Sequence, residues 1–512
     1  MSDMPQKVAE TAARAPAQRI GLRAWLALVA GAFGTAAYMT TMTATGSALP
    51  HMQGTFSAAP DQMAWVLTAF LVGTTVATAC IGWLDTRFGS RRLFLVASFG
   101  FAVATVLCGL STSLVEALVF RTLQGLFGAA LLPLGNAIAL AAFPRERQGL
   151  ATAMWCVIGN FAPTFGPFVG AKLVHEYGWA WVYFLTVPLS IGAFLFTLAF
   201  VPLKERIRPP NFDWFGFAFL AIAISALLTM LSRGERLEWF ESREIVLELA
   251  VGLTAAYAFV IRMGTAAAPF ISPPLFRDRN FAIGLSFSFV HGAIVFLQLF
   301  LIPLQLQSLA GYDIVGVGAL LIWRGSGFMV GALLVSWISD RADPRFVLAA
   351  GFGCAIVSAY SMSTWSMDLR AVDVAWTIFL NGASSSVAYI PMTVLTFSTL
   401  APRFRTEGFG FYYVVSFLGT SVGTAVIFNV LSRSMRVNHD VMAERLNPYN
   451  ELMTYGFVPR LWSFARPGGL SGLDAEIGRQ ASMIAYNNSF LLIALGAIAI
   501  VPFIFFMRRP KS

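Results

Sequence analysis

The sequence predicts an all-α polytopic membrane protein, and three observations carry that prediction. The chain of 512 residues is 57% hydrophobic and only 12% charged, with a mean hydropathy of +0.70. A soluble chain of this size would carry roughly a quarter charged residues. Apolar runs of the length a helical span needs, about 20 residues, recur along the whole chain. Short basic loops punctuate those runs, led by the glycine-marked Gly82-Trp83-Leu84-Asp85-Thr86-Arg87-Phe88-Gly89-Ser90-Arg91-Arg92.

Fourteen spans are expected. They begin near Ala24, Ala64, Arg92, Val115, Leu150, Trp181, Trp214, Ile245, Phe281, Val315, Phe346, Ala371, Gly408 and Asn488. Loops after even-numbered spans carry the cations, for example Arg87, Arg91 and Arg92, Lys204, Arg206 and Arg208, and Arg403 and Arg405. The positive-inside rule makes those loops cytoplasmic. An even count then puts the tails 1–23 and 508–512 inside. The opposite loops are poor in cations, with two exceptions. In Gly234–Arg243 the arginines are matched by Glu235, Glu238 and Glu241. The stretch 435–483 is long enough to cross regardless of charge, and reads as an external loop with a partly amphipathic segment. The basic N-terminus runs into an apolar stretch that continues to about Thr45, too long for a signal peptide, so no cleavage is expected.

The motif Gly82–Arg92 has a weaker copy at Ser336-Trp337-Ile338-Ser339-Asp340-Arg341-Ala342-Asp343-Pro344-Arg345. Each follows the second span of a six-span unit if spans seven and eight are an insertion. The layout is therefore 6 + 2 + 6: a bundle over 24–203, a two-helix insertion with linkers over 204–280, and a second bundle over 281–507. Parallel halves of this kind are a transporter device.

Several polar groups fall inside spans. Arg121, Gln124, Gly125 and Gly128 share one face of span four. An arginine there costs at least about 2.5–3.5 kcal/mol to insert, so it faces the bundle interior or a wet cavity; the bland reading is an arginine that snorkels or bridges helices. Gly159, Pro163, Gly166 and Gly170, with Pro167 beside them, make a small-residue seam in span five. It is either simple close packing or a hinge in a moving bundle. His291, Gln298 and Gln305 recur every seven residues in span nine. The bland reading of the histidine is a hydrogen-bonded packing residue, the sharper one a proton carrier. Asn381 with Ser384 and Ser385, Tyr412 with Ser416, and Tyr38 with Thr41 and Thr45 add polar patches in spans twelve, thirteen and one. Amides, hydroxyls and aromatics together suit an amphipathic organic ligand. Arg324 in span ten is either a cavity residue or one that reaches the outer interface.

Other function classes lack their residues. No GxxxxGK[ST] phosphate loop exists, no H-E-x-x-H or Cys/His cluster occurs, and no selectivity-filter loop is visible. No enzyme activity, metal or cofactor is expected. Cys80, Cys108, Cys156 and Cys354 all lie in apolar runs and read as core thiols. The net charge of +9 is spread over loops between spans, which argues against a nucleic-acid partner.

With these motifs the chain resembles the major facilitator superfamily, and within it the fourteen-span EmrB/QacA-type drug:proton antiporters. The resemblance covers nearly the whole length. It rests on the Gly82–Arg92 loop, on Arg121-Thr122-Leu123-Gln124-Gly125, and on Gly166-Pro167-Phe168-Val169-Gly170, similar to the motif that marks antiporters. Ala48-Leu49-Pro50 after span one and Trp239-Phe240-Glu241-Ser242-Arg243 add to it. The resemblance implies a major facilitator fold of two pseudo-symmetric bundles, alternating access, and export driven by proton influx across a bacterial inner membrane. In Gram-negative bacteria such members often deliver substrate to a periplasmic adaptor and an outer-membrane channel. Arg121 would then be the motif arginine that couples to protonation. The residues themselves give the remaining expected roles: Gln124 and Glu116, the best remaining carboxylate within reach, join Arg121 in proton coupling; Gly82, Asp85, Arg87, Gly89, Arg91, Asp340 and Arg341 form conformational latches; and Tyr38, Thr41, His291, Gln298, Gln305, Asn381, Tyr412 and Ser416 meet the ligand.

The chain departs from the family pattern at telling places. Thr41 stands where a span-one aspartate is usual, and Thr86 where the loop motif carries its acid, which sits one residue earlier at Asp85. Trp179-Ala180-Trp181 replaces Trp-Arg-Trp, and Ser416 replaces a frequent arginine. A facilitator or symporter on the same fold, or a membrane receptor that moves no solute, are the rival readings.

Overall fold

The computed structural model describes residues 20–58, 60–144, 147–203, 212–267, 269–338, 342–401, 404–446, 462 and 468–508. Asp340, Arg341, the first nineteen residues and most of 447–467 lie outside the described residues. Helices α1 (Leu22–Phe56), α2 (Pro60–Phe88) and α3 (Ser90–Gly109) open the chain. Span four is two helices, α4 (Leu114–Gly128) and α5 (Leu131–Ala142). After α6 (Gln148–Tyr177), span six is also two pieces, α7 (Trp181–Phe184) and α8 (Val187–Phe200). The pair α9 (Trp214–Arg233) and α10 (Arg243–Thr265) follows. The second half comprises α11 (Arg279–Ser308), α12 (Ile314–Ile338), α13 (Pro344–Met362), α14 (Ala371–Ser398), α15 (Arg405–Arg445) and α16 (Gly469–Ile500).

Local chemistry sets the breaks. Gly89 separates α2 from α3 at φ +82°, a conformation that needs glycine, and its N–H closes α2 on the Asp85 carbonyl at 2.7 Å. Asp213, Asp278 and Asp343 start α9, α11 and α13 by accepting from the backbone N–H of Gly216, Phe281 and Arg345 at 3.1, 2.9 and 3.1 Å. Asp213 also holds Arg262 of α10 at 3.0 Å, which fastens α9 to α10. Burial pushes the Asp213 carboxyl up, but the Arg262 and Gly216 donors more than offset this and hold it below the usual carboxylate range.

Among the described residues thirteen helices are long and apolar enough to cross a membrane, by length and composition. The protein is therefore an all-α, multi-pass membrane protein. The thirty-residue α6 is not among the thirteen, because Asn160, two prolines and the scattered Gly149, Gly159, Gly166 and Gly170 lower its mean hydropathy. It packs between α1 and α12.

The packing is paired. In the first half α1 lies on α5, α6 and α8, and α2 on α4; in the second α11 lies on α15 and α16, and α12 on α14. Both halves use glycine for the second of these contacts. A Cβ on Gly73 of α2 would sit 2.6 Å from the Thr122 carbonyl oxygen of α4, and one on Gly382 of α14 would sit 2.7 Å from the Arg324 carbonyl carbon of α12. Helix backbones approach this closely only without a Cβ. The halves meet along α6–α12 and α2–α15, and α9 lies against both α2 and α15.

One expected boundary moves. The last helix starts at Gly469 rather than near Asn488, and α15 runs on to Arg445. Both are helical through most of the stretch expected to be an external loop.

Candidate functional site

Arg121 is built into the first half from α4. It is 1% exposed. Its Nε donates to the Val66 carbonyl at 3.2 Å and one terminal nitrogen to Gln124 Oε1 at 2.7 Å. Gln124 Nε2 in turn donates to Thr105 Oγ1 at 2.7 Å. The guanidinium is stacked at 4.6 Å from the Phe70 ring centre and 5.7 Å from that of Tyr183. Phe70 continues to Tyr38, with ring centres 5.5 Å apart. Spacing thus correctly joined Arg121 and Gln124; the aromatic cover from α2 and α7 comes from other helices and could not be read along the chain.

Glu116 does not join this group. It is exposed at the start of α4, where Oε2 accepts from Thr112 N at 2.9 Å and Thr112 Oγ1 at 3.0 Å, while its own N–H donates to Ser113 Oγ at 3.3 Å. This is the reciprocal capping arrangement of Ser-x-x-Glu, signalled in the sequence by Ser113. Among the described residues no carboxylate forms an ion pair with Arg121.

A cavity of about 160 Å³ lies between the halves, lined from α1, α5, α6, α11, α12, α14 and α15. His291, Ser416, Pro163, Pro167 and Arg324 reach it. His291 Nε2 is 3.4 Å from the Ser385 carbonyl. Arg324 points inward: its Nε donates to Asn381 Oδ1 at 3.0 Å and a terminal nitrogen to the Val295 carbonyl at 3.3 Å. The interior reading of Arg324 is the one the geometry takes. Asn381 stands behind it, donating onward to Gln298. Residues missed in the sequence complete the lining: Trp155, Asn160 and the pair Tyr389–Tyr413, whose hydroxyls are 2.6 Å apart. Tyr389 is four residues after Ser385, one helical turn along the same face, and that was the available signal.

Other expected ligand residues lie elsewhere. Thr41 Oγ1 donates to the Ala37 carbonyl at 2.9 Å and lies 3.2 Å from Thr186 Oγ1, so it ties α1 to the α7–α8 joint. Tyr38 and Tyr412 are buried among aromatics, and Gln305 Nε2 reaches Met483 Sδ at 3.5 Å. None of these four lines the central cavity.

The span-five seam faces α1. A Cβ on Gly159 would lie 3.1 Å from Thr35 Cγ2, and one on Gly166 the same distance from Thr40 Cγ2. Gly170 is buried at the end of the same helix. Pro163 and Pro167, on the adjoining face, open onto the cavity.

The expected latch sits at the α2–α3 turn. Gly82 accepts from Thr86 Oγ1 at 2.9 Å, Arg87 lies 5.9 Å from the Trp83 ring centre, and Arg91 donates to the Leu198 carbonyl of α8 at 2.7 Å. Asp85 lines a crevice with Asn136, Phe409, Gly410 and Tyr413, at the junction of α2, α5 and α15. The four cysteines are free thiols.

The family model of the Major Facilitator Superfamily matches residues 31–424. A multidrug export protein, EmrB of Haemophilus influenzae, is 29% identical over 500 residues, covering 95% of this chain and 96% of its own. A fatty acid resistance protein, FarB of Neisseria gonorrhoeae, is 28% identical over 496 residues with the same coverage. The xylose transporter XylE of E. coli, solved in a partially occluded inward-open conformation, matches with a TM-score of 0.59 at 11% identity, over 96% of this chain and 99% of its own.

Proposed function

This chain belongs to the major facilitator superfamily, and from that premise we propose that it exports amphipathic organic compounds by proton antiport and alternating access. The observation that carries the reading is the cavity between the halves. It is walled by Trp155, Phe328, Tyr389, Tyr413 and Phe417 and carries Arg324, His291 and Asn160 as polar groups. A few convergent polar groups in an aromatic wall fit an amphiphile. Its volume, about 160 Å³, is below the roughly 300–1,000 Å³ of ligand-filled pockets, as expected of a state closed at mid-membrane. The names of the full-length relatives, multidrug export and fatty acid resistance, accord with this substrate class.

In this reading α6 is the fourteenth span, the insertion is α9–α10, and both termini face the cytoplasm of a bacterium whose inner membrane holds the protein. Arg121 and Gln124 serve coupling, Asp85 and its neighbours latch the halves, and a periplasmic adaptor and outer-membrane channel receive the substrate. Glu116 is a helix cap and takes no part.

The test is proton movement in everted membrane vesicles, with a hydrophobic weak acid, a cationic dye and a secreted metabolite as candidate substrates. Adding a true substrate should dissipate ΔpH. Substrate movement that persists unchanged after the gradient is collapsed would exclude antiport and leave a facilitator, a reading favoured by Thr41 in place of an acid. If no candidate solute moves in liposomes, a receptor remains.

A further inference from the structure

A second cavity, of about 490 Å³, lies to the side of the central one. It is bounded by α2, α4, α15 and the insertion, with Leu67, Leu71, Leu228, Leu231, Ala425 and Phe428 forming apolar walls. The insertion helix α9 roofs the gap between α2 and α15. Arg121 forms part of the lining.

Two buried donors in this cavity have no protein partner. One is the second terminal nitrogen of Arg121, whose other nitrogens are taken by Val66 and Gln124. The other is Ser421 Oγ on α15. An unmet buried donor is costly, more so when charged. Phe70 and Tyr183 cover the guanidinium faces, so a partner must enter in the plane, where an anionic oxygen makes a charge-assisted hydrogen bond to the free nitrogen. The one carboxylate in the lining, Glu235, is already engaged. It accepts from Asn429 Nδ2 at 2.6 Å and Trp239 Nε1 at 3.3 Å and lies 3.7 Å from Arg436. Burial pushes its carboxyl up, but these donors and Ser432 hold it below the usual range, so its charge is spent outside the apolar part.

We infer that this lateral cavity is a second ligand site, which takes a monoanionic amphiphile with its headgroup on Arg121 and Ser421 and its tail between α2, α9 and α15. It rests on the export reading only for its purpose; binding can be measured without transport. The headgroup chemistry is shared by a soluble carboxylate and an anionic phospholipid, and the test separates them.

The full chain in nanodiscs of phosphatidylcholine is titrated with dodecanoate and, as the charge-reversed probe, dodecyltrimethylammonium. Dodecanoate should bind and the cation should not. Arg121→Gln should weaken dodecanoate at least about tenfold, the scale of one lost charge-assisted hydrogen bond. Ser421→Trp, which fills the cavity and leaves the arginine intact, should do the same. Phosphatidylglycerol in the disc that competes with dodecanoate identifies a lipid site; no competition identifies a solute site. Equal affinity for the cation, or dodecanoate binding unchanged in Ser421→Trp, would overturn the inference. Loss of ΔpH dissipation with binding intact would instead count against export and leave the site standing.

Discussion

Arg121→Ala should reduce efflux to the background of cells lacking the protein while the chain remains in the membrane at normal level. The side chain supplies two charge-assisted hydrogen bonds, each worth about 1.5–3 kcal/mol, to Val66 O and Gln124 Oε1. Its loss takes the charged donor from Gln124 Oε1, which keeps only the weak Cys108 thiol at 3.9 Å, and unroofs Phe70. Insertion itself becomes easier, since a buried cation is removed, so failure to transport will not reflect failure to insert. Arg121→Lys sharpens the test. A lysine keeps the charge but not the planar fork that serves two acceptors between two rings, so it should rescue little. Dye efflux with immunoblotting of membranes checks both; near-normal efflux in Arg121→Ala would remove the residue from the mechanism.

Gly318→Leu should slow the transport cycle for a mechanical reason. A Cβ at Gly318 of α12 would lie 2.6 Å from the Phe168 Cα and 2.9 Å from its backbone nitrogen on α6. Backbone atoms cannot turn aside as a side chain can, so the two halves must part at this point. Overpacking of this kind costs about 1–3 kcal/mol, which moves a two-state equilibrium by roughly 5–150-fold. The closed packing of α6 on α12 should become a minor state. Transport should fall by a similar factor, while a cysteine placed on α12 next to Phe168 gains reactivity to a water-soluble reagent. Full activity with unchanged reactivity would show that this contact does not govern the exchange between states.

Much of the fold was legible because hydropathy, glycine and charge act locally. The Gly89 break and the inward face of Arg121 both follow from a few neighbouring residues. The start of the last helix was not, because Gly469–Asn487 is a polar helical extension. Its Glu476–Arg479 pair, at 3.1 Å, stabilises helix without any apolar run to advertise it.

The site was legible by face but not by depth. His291, Gln298 and Gln305 do share a face, yet seven residues of helix separate neighbours by about 10 Å along the axis. Only His291 lines the central cavity; Gln298, although flanked by the lining residues Val295 and Leu299, is taken by Asn381, and Gln305, farther along, meets Met483. Likewise Thr41 lies in a polar stripe of α1, but its side chain is claimed by Thr186 from the α7–α8 joint, far along the sequence. Which polar group meets a cavity is decided by the facing helix, and a single strand of sequence carries no record of that.

The position of α6 between α1 and α12 has a consequence for how the chain is made. Its N-terminal neighbour is already synthesised when it emerges, but α12 follows only after roughly 140 further residues. At about 5–20 residues per second this is a wait on the order of ten seconds. Chains truncated before Ile314 should therefore be degraded faster than chains truncated after Ile338, as read by pulse-chase; equal lifetimes would contradict this. Until α12 arrives, Thr164 and Phe168 lack the partners on α12 that they pack against, Met329, Gly325 and Gly318. The contact that later lets the halves move is thus also the last major debt of biogenesis, and the half-made exporter is a client of whatever holds nascent membrane helices in place.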